Sequence, residues 1–233
     1  MEDRNRDESL MLTSDSFLLA ATAAARIDAR RVSVCDLGCG SGAISVVLAH
    51  RCPAVSVTGV DISESLCKMY RDNSVREGLA DRMTAVCASV EDLRAAFPPC
   101  RFDAVITNPP YFAPERGDPA ADPLRRTARM GCPPDVWLAG ASYLLKPGGS
   151  VYLCFPAARA SELLCAMTAA KLEPKYLRAV AHSSAHAPSL VLVTGRKNGA
   201  PGLTWAHTLI QYGADGQMTP ECAALYDPDG KER

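Results

Sequence analysis

The chain reads as an α/β fold: an open, mostly parallel sheet of seven strands with an antiparallel hairpin at its edge. Three observations predict it. Strand-like apolar runs alternate with helical patterns along most of the 233 residues, an order that implies parallel strands joined by helical crossovers. The first run ends in a glycine-rich turn that opens a helix. The last two runs are joined by a polar stretch too short for a parallel crossover, so they are expected to pair antiparallel.

Taken in order, Thr13 or Ser14 caps an amphipathic helix from Asp15 to about Asp28, which is expected to cover the ligand side of the sheet. Strands are expected near residues 32–36, 55–61, 82–87, 102–107, 149–155, 174–181 and 189–196. Helices are expected near 42–51, 63–78, 133–146 and 157–171. Residues 112–130 have no apolar period, because Pro114, Gly117, Pro119 and Pro123 interrupt them; so long a gap within a compact domain is read as a mobile substrate loop. The domain organisation is then a cap helix within residues 1–30 and one compact domain over 31–233.

Composition narrows the function classes. Hydrophobic residues make up 48% and charged residues 22%, ordinary for a soluble globular protein. A net charge of −1 gives no global attraction to nucleic acid, so any RNA contact must be a local patch. No apolar run approaches the ~20 residues of a membrane span, and the start, Met1 to Glu8, is too polar for a signal peptide; a cytoplasmic location is expected. Ten cysteines without a C-x-x-C spacing point to inert thiols, and Cys35, Cys87, Cys154 and Cys165 sit in apolar patterns. His182 and His186 are four apart, but Ser183, Ser184 and Pro188 around them favour a strand connection over a metal-binding helix face, and no metal is expected.

The run ending in Asp36-Leu37-Gly38-Cys39-Gly40-Ser41-Gly42 carries the first chemical signal. Gly38 and Gly40 permit a tight turn and close backbone approach to a ligand, and the helix that follows aims its free N–H groups at the same place. The spacing is Gly-x-Gly-x-Gly with an acid two residues before it, unlike the Gly-x-Gly-x-x-Gly of dinucleotide enzymes, which favours S-adenosyl-L-methionine over a pyrophosphate cofactor. Asp61 closes the next strand, where a carboxylate can accept hydrogen bonds from both ribose hydroxyls, and Ile62 follows it.

After the strand at 102–107 come Asn108, Pro109, Pro110 and Tyr111. The lone pair of an exocyclic amino group or a carboxamide is delocalised, so a catalyst must hold its hydrogens and bias it toward a tetrahedral nitrogen. The Asn108 side-chain carbonyl is one acceptor, and the Pro109 backbone carbonyl, aimed by two consecutive prolines, is a second. Tyr111 offers a face for a planar group, worth roughly 1 to 3 kcal/mol for a base, with Phe112 beside it. Arg125, Arg126 and Arg129 form either a solvated cluster or a clamp on RNA phosphates, and Lys171, Lys175, Arg178, Arg196 and Lys197 could extend such a patch.

Asn108-Pro-Pro-Tyr-Phe112, the glycine turn, Leu145-Lys-Pro-Gly-Gly149, the stretch Leu172 to Arg178 and Leu209 to Tyr212 together resemble the bacterial tRNA1(Val) (adenine(37)-N6)-methyltransferase family. The resemblance runs from about Thr13 to Tyr226. It implies a Rossmann-like class I methyltransferase that uses S-adenosylmethionine to methylate adenine N6 in tRNA. Asp36, Gly38, Gly40 and Asp61 would bind the cofactor, Asp15 and Phe17 would close its site, and Asn108 to Tyr111 would hold the base. By the same resemblance Ile62 and Ser89 belong to the cofactor site. Three positions depart: Ser89 replaces an Asp expected at the adenine amino group of the cofactor, Ser16 a glycine, and Gly131 a Glu. Guanine N2 of ribosomal RNA and the N5 of a protein glutamine pose the same nitrogen problem and stay open. Glutamine enzymes resemble a helical domain followed by this one, whereas about thirty residues precede the first strand here. A noncatalytic RNA-binding module that retains the fold is a further alternative.

Overall fold

The computed structural model describes residues 10, 12–27, 32–109 and 133–227. Its helices are α1 (Ser14–Ala24), α2 (Ala43–Arg51), α3 (Glu64–Arg76), the short α4 (Leu93–Ala96), α5 (Pro134–Leu144), α6 (Ala160–Ala169) and α7 (Pro220–Tyr226). The strands are β1 (Val32–Leu37), β2 (Val55–Asp61), β3 (Met83–Cys87), β4 (Phe102–Thr107), β5 (Leu145–Pro156), β6 (Leu172–Ala181), β7 (Leu190–Lys197), β8 (Thr204–Trp205) and β9 (Leu209–Ile210). They form one sheet in the order β3-β2-β1-β4-β5-β7-β6-β8, with β9 also on β6.

The order from β3 to β5 is parallel, and β7 lies antiparallel between β5 and β6. The expected hairpin of the last two long strands is therefore present. It is not the outermost layer, because β8 and β9 pair in parallel with β6 and cover its free edge. Two-residue strands leave no apolar period, so they escaped the sequence reading.

Alternation along the inner strands builds two cores. Val34, Ala104 and Ile106 face one side with Leu18 and Leu19 of α1, Ile44 and Leu48 of α2, and Tyr70 of α3. Cys35, Val105 and Leu153 face the other with Leu138 and Leu144 of α5 and Leu163 and Met167 of α6. Such two-sided burial makes β1 and β4 continuous apolar runs, as parallel strands covered on both faces require. Helix α1 belongs to the first core, with Leu18, Ala20 and Ala23 fully buried.

Local signals set the helix ends. Thr13 is the cap of α1, its hydroxyl accepting the Ser16 N–H at 3.2 Å. Ser63 caps α3 in the same way through Leu66 N–H. Helix α5 starts with Pro134 in its first turn and stops at Leu144, because Leu145 already pairs with Phe102 on β4. The Lys146 to Gly149 turn then shifts the β4–β5 register before Ala104 meets Ser150.

No helix among the described residues is long and apolar enough to cross a membrane. Among the same residues, no group of three or more His, Cys, Asp or Glu side chains is arranged to hold a metal ion.

Candidate active site

The carboxyl ends of β1, β2 and β4 meet at one rim. Strand β1 lies between the other two, so Asp61 and Asn108 stand two strand spacings apart, about 10 Å. The glycine turn after β1 lies between them, held down by Gly38 and Cys39 N–H groups that donate to the Val60 carbonyl at 2.8 and 3.0 Å. On the other side, Thr107 Oγ1 donates to the Leu37 carbonyl at 2.8 Å and ties the end of β4 to the same turn.

Two glycines are required by this geometry. Gly40 has φ +53°, and a side chain there would project into open space at the mouth of the site. Gly42 begins α2 with φ +94°, and a Cβ would come within 2.8 Å of the Tyr70 ring. That buried tyrosine forms the floor of the turn, a role that no local pattern marks. Gly42 has no side chain to cap α2, so the first N–H groups of the helix are left facing the rim.

The two acids differ in surroundings. Asp61 is half-buried and accepts Gly40 N–H through Oδ2 at 3.0 Å and Ser63 N–H through Oδ1 at 2.9 Å. Asp36 is fully buried; its Oδ2 accepts the Ser45 hydroxyl at 2.6 Å, and its Oδ1 has no hydrogen-bond partner among the described residues. Burial pushes the Asp36 carboxyl up to about 7; the nearby Asp61 adds to the rise and the Ser45 hydrogen bond opposes it. Burial likewise pushes the Cys39 thiol far above its usual value, so it is protonated at neutral pH.

Ile62, the residue after Asp61, is 61% exposed although apolar. Ser89 lies beyond β3, where its hydroxyl accepts Glu91 N–H at 3.2 Å. Trp137 on α5 lays its indole against Gly38, so close that a Cβ there would sit 2.8 Å from the ring, and its Nε1 is buried without a partner. An aromatic one turn into a helix looks like ordinary core in a sequence; only the return of α5 over the glycine turn brings it here.

Asn108 is the centre of a small network. Its Nδ2 donates to Ser16 Oγ at 3.1 Å, and its Oδ1 accepts from the Cys154 thiol at 3.2 Å. Pro109 is buried beside it. Asp15 lies in the same first turn of α1 as Ser16 and is only partly buried. Phe17 points elsewhere: its ring stacks on Tyr226 with centroids 4.0 Å apart, and the Arg51 guanidinium lies 5.0 Å from it. Helix α7 returns to α1 and takes up this ring, so Phe17 steadies the helix from behind. Pro110, Tyr111, Phe112, Arg125, Arg126, Arg129 and Gly131, like the expected loop over 112–130, lie outside the described residues.

The C-terminal cations do not extend toward this rim. Lys175 Nζ serves the Ala200 and Gly202 carbonyls, Lys197 Nζ serves those of Ser142 and Leu145 at 2.6 and 2.7 Å, and Arg178 pairs with Glu221. Lys171, Lys175, Arg196 and Lys197 also lie toward the start of β6 and the end of β7, the opposite edge of the sheet.

Residues 34–131 match the model of a methyltransferase domain. A tRNA1(Val) (adenine(37)-N6)-methyltransferase of Aeromonas hydrophila is 33% identical over 160 residues, 67% of this chain and 64% of its own length. One from Porphyromonas gingivalis is 26% identical over 197 residues, 83% of this chain and 77% of its own. Over the matched stretch the chain is similar to this methyltransferase family, and it spans 64% of the length of the Aeromonas relative. A release factor glutamine methyltransferase of Moorella thermoacetica shares 36% identity over a shorter stretch, 52% of this chain and 44% of its own length. The crystal structure of a predicted O-methyltransferase from Agrobacterium tumefaciens has the same fold, with a TM-score of 0.74 at 23% identity, over 91% of this chain and 94% of that one.

The fold is that of S-adenosylmethionine-dependent methyltransferases, and the rim fits such a group. Open space at Gly40, the bare face of Ile62, the uncapped start of α2 and the unpartnered Asp36 Oδ1 would suit a ligand with a flat base, a ribose and a cationic amino-acid end.

Proposed function

We propose that this chain transfers a methyl group from S-adenosylmethionine to an exocyclic amino nitrogen, adenine N6 of a tRNA. The observation that carries the reading is the Asn108 carboxamide, fixed between Ser16 and Cys154 at a strand end beside the glycine turn. The activity by which the Aeromonas and Porphyromonas relatives are named supports adenine in tRNA as the acceptor.

Bound S-adenosylmethionine supplies a methyl group activated by its sulfonium. In this reading Asp61 accepts the ribose hydroxyls, Ile62 lies on the base with Ser89 at its edge, and Gly38 and Gly40 let the backbone approach the amino-acid end. Asp36 provides the buried negative charge there, and Asp15 helps to close the site. Asn108 Oδ1 and the Pro109 carbonyl accept the two hydrogens of the target amino group, which holds its nitrogen in line for transfer. Pro110 stiffens the turn, Tyr111 and Phe112 stack on a base flipped out of its strand, and Arg125, Arg126 and Arg129 hold flanking phosphates.

The test is incubation with labelled S-adenosylmethionine and tRNA, rRNA or release factor in parallel, followed by mass spectrometry. N6-methyladenosine in tRNA is the expected product. Label only in rRNA guanine or in a release-factor glutamine would replace the acceptor, and failure to bind the cofactor at millimolar concentration would leave a noncatalytic module.

A further inference from the structure

Resting on that reading of Asn108, we infer that Ser16 is a positioning residue: its hydroxyl oxygen holds the carboxamide nitrogen and so fixes which end of the amide meets the acceptor. Ser16 is buried, at 8% exposure, in the first turn of α1. Its Oγ receives a hydrogen from Asn108 Nδ2 at 3.1 Å and another from Thr13 Oγ1 at 3.0 Å. Thr13 is itself anchored, since its Oγ1 accepts the Ser16 N–H at 3.2 Å as the helix cap. The oxygen that meets Asn108 is thus placed by the cap of a helix whose remaining turns are buried in the core.

The need for such a device follows from the chemistry of an amide. The two ends of a carboxamide have nearly the same shape, but one accepts and the other donates. Turned over, Asn108 would present its NH2 to the NH2 of the acceptor. Asn108 Oδ1 instead lies toward Cys154, whose thiol is a weak donor. Ser16 and Cys154 thus sit at the two ends of the amide, the hydroxyl oxygen on its nitrogen and the thiol on its oxygen.

The test uses the full chain, Ser16→Ala and Ser16→Thr, with Asn108→Ala as the reference. In the native protein one Asn108 side-chain N–H should exchange slowly in 15N NMR spectra, and Ser16→Ala should abolish that protection. With the acceptor found by the methylation assay, Ser16→Ala should lower kcat by on the order of ten- to a hundredfold and leave cofactor affinity and acceptor KM unchanged. Ser16→Thr, which keeps a hydroxyl, should recover most of the rate. Full kcat in Ser16→Ala beside an inactive Asn108→Ala would overturn the inference alone. A loss in Ser16→Ala that follows the melting temperature and is not recovered by threonine would also overturn it, as would an Asn108 resonance that does not move. Full transfer by Asn108→Ala would instead remove the reading of the site itself.

Discussion

The two edges of the sheet are built from similar residues and finished differently. At the amino edge, Asp103 accepts both the N–H and the hydroxyl of Ser33 through Oδ2, at 2.9 and 2.7 Å, and pairs with Lys146 through Oδ1 at 2.6 Å. Arg82 serves three carbonyls near the start of β2, those of Ala49, Cys52 and Val55. A hollow of about 460 Å³ opens at this edge beside Asp103 and Lys146, yet the polar groups around it are largely paired within the protein. At the carboxyl edge, Asp36 Oδ1 and Trp137 Nε1 are buried without partners, and Ile62 stands bare. Buried polar groups that go unmatched are costly, so their presence beside the glycine turn supports the proposal that a ligand sits at that edge. Cavity size alone points to the other edge.

The comparison is most easily broken at Asn108. Asn108→Ala should lower methyl transfer by on the order of a thousandfold with little change in cofactor affinity; equal loss in activity assays and calorimetry would make Asn108 a structural residue. Next comes Gly42→Ala, which forces a side chain at φ +94° into the Tyr70 ring. It should lower stability by about 1 to 3 kcal/mol in urea titration and weaken cofactor binding along with it. An unchanged midpoint would show that the turn adjusts freely.

Asp36 gives a pH signature near neutrality. Its folded-state carboxyl titrates at about 7, above the ordinary 3.8, so the folded chain binds the proton more tightly than the unfolded one. The contribution of Asp36 to stability of the free protein therefore falls as pH rises from about 4 through 7. A cationic ligand end favours the ionised carboxylate, so affinity for S-adenosylmethionine should rise toward pH 7 by at most about tenfold per unit and level off above it. Asp36→Asn should flatten that profile, and a native profile with no slope would detach Asp36 from the cofactor. The smallest effect belongs to Lys146→Ala: both partners of its ion pair are more than a third exposed, so the loss should be under about 1 kcal/mol, with cofactor affinity unchanged.

Much of the carboxyl edge was legible because its parts are local. The glycine spacing, Asp61 at a strand end and Asn108 after β4 are each read within a few residues, and parallel topology brings strand ends together without further information. What remained hidden depends on long-range return of the chain. Ser16 and Asn108 are 92 residues apart, and one hydroxyl carries no pattern. Trp137 reaches Gly38 only because α5 folds back across the turn. Phe17, expected at the cofactor, stacks on Tyr226 of a short C-terminal helix, a contact that no local pattern announces. Lys171, Lys175, Arg196 and Lys197, which could have extended an RNA patch, lie at the far edge by topology, where Lys175 and Lys197 serve carbonyls.

The most direct measurement is a crystal structure of the full chain with S-adenosylhomocysteine. It should show the ribose hydroxyls on Asp61, the base over Ile62, and the sulfur directed toward the Asn108 carboxamide through a continuous opening. A ligand seated in the hollow beside Asp103 and Lys146, or one at Asp61 walled off from Asn108, would contradict the account.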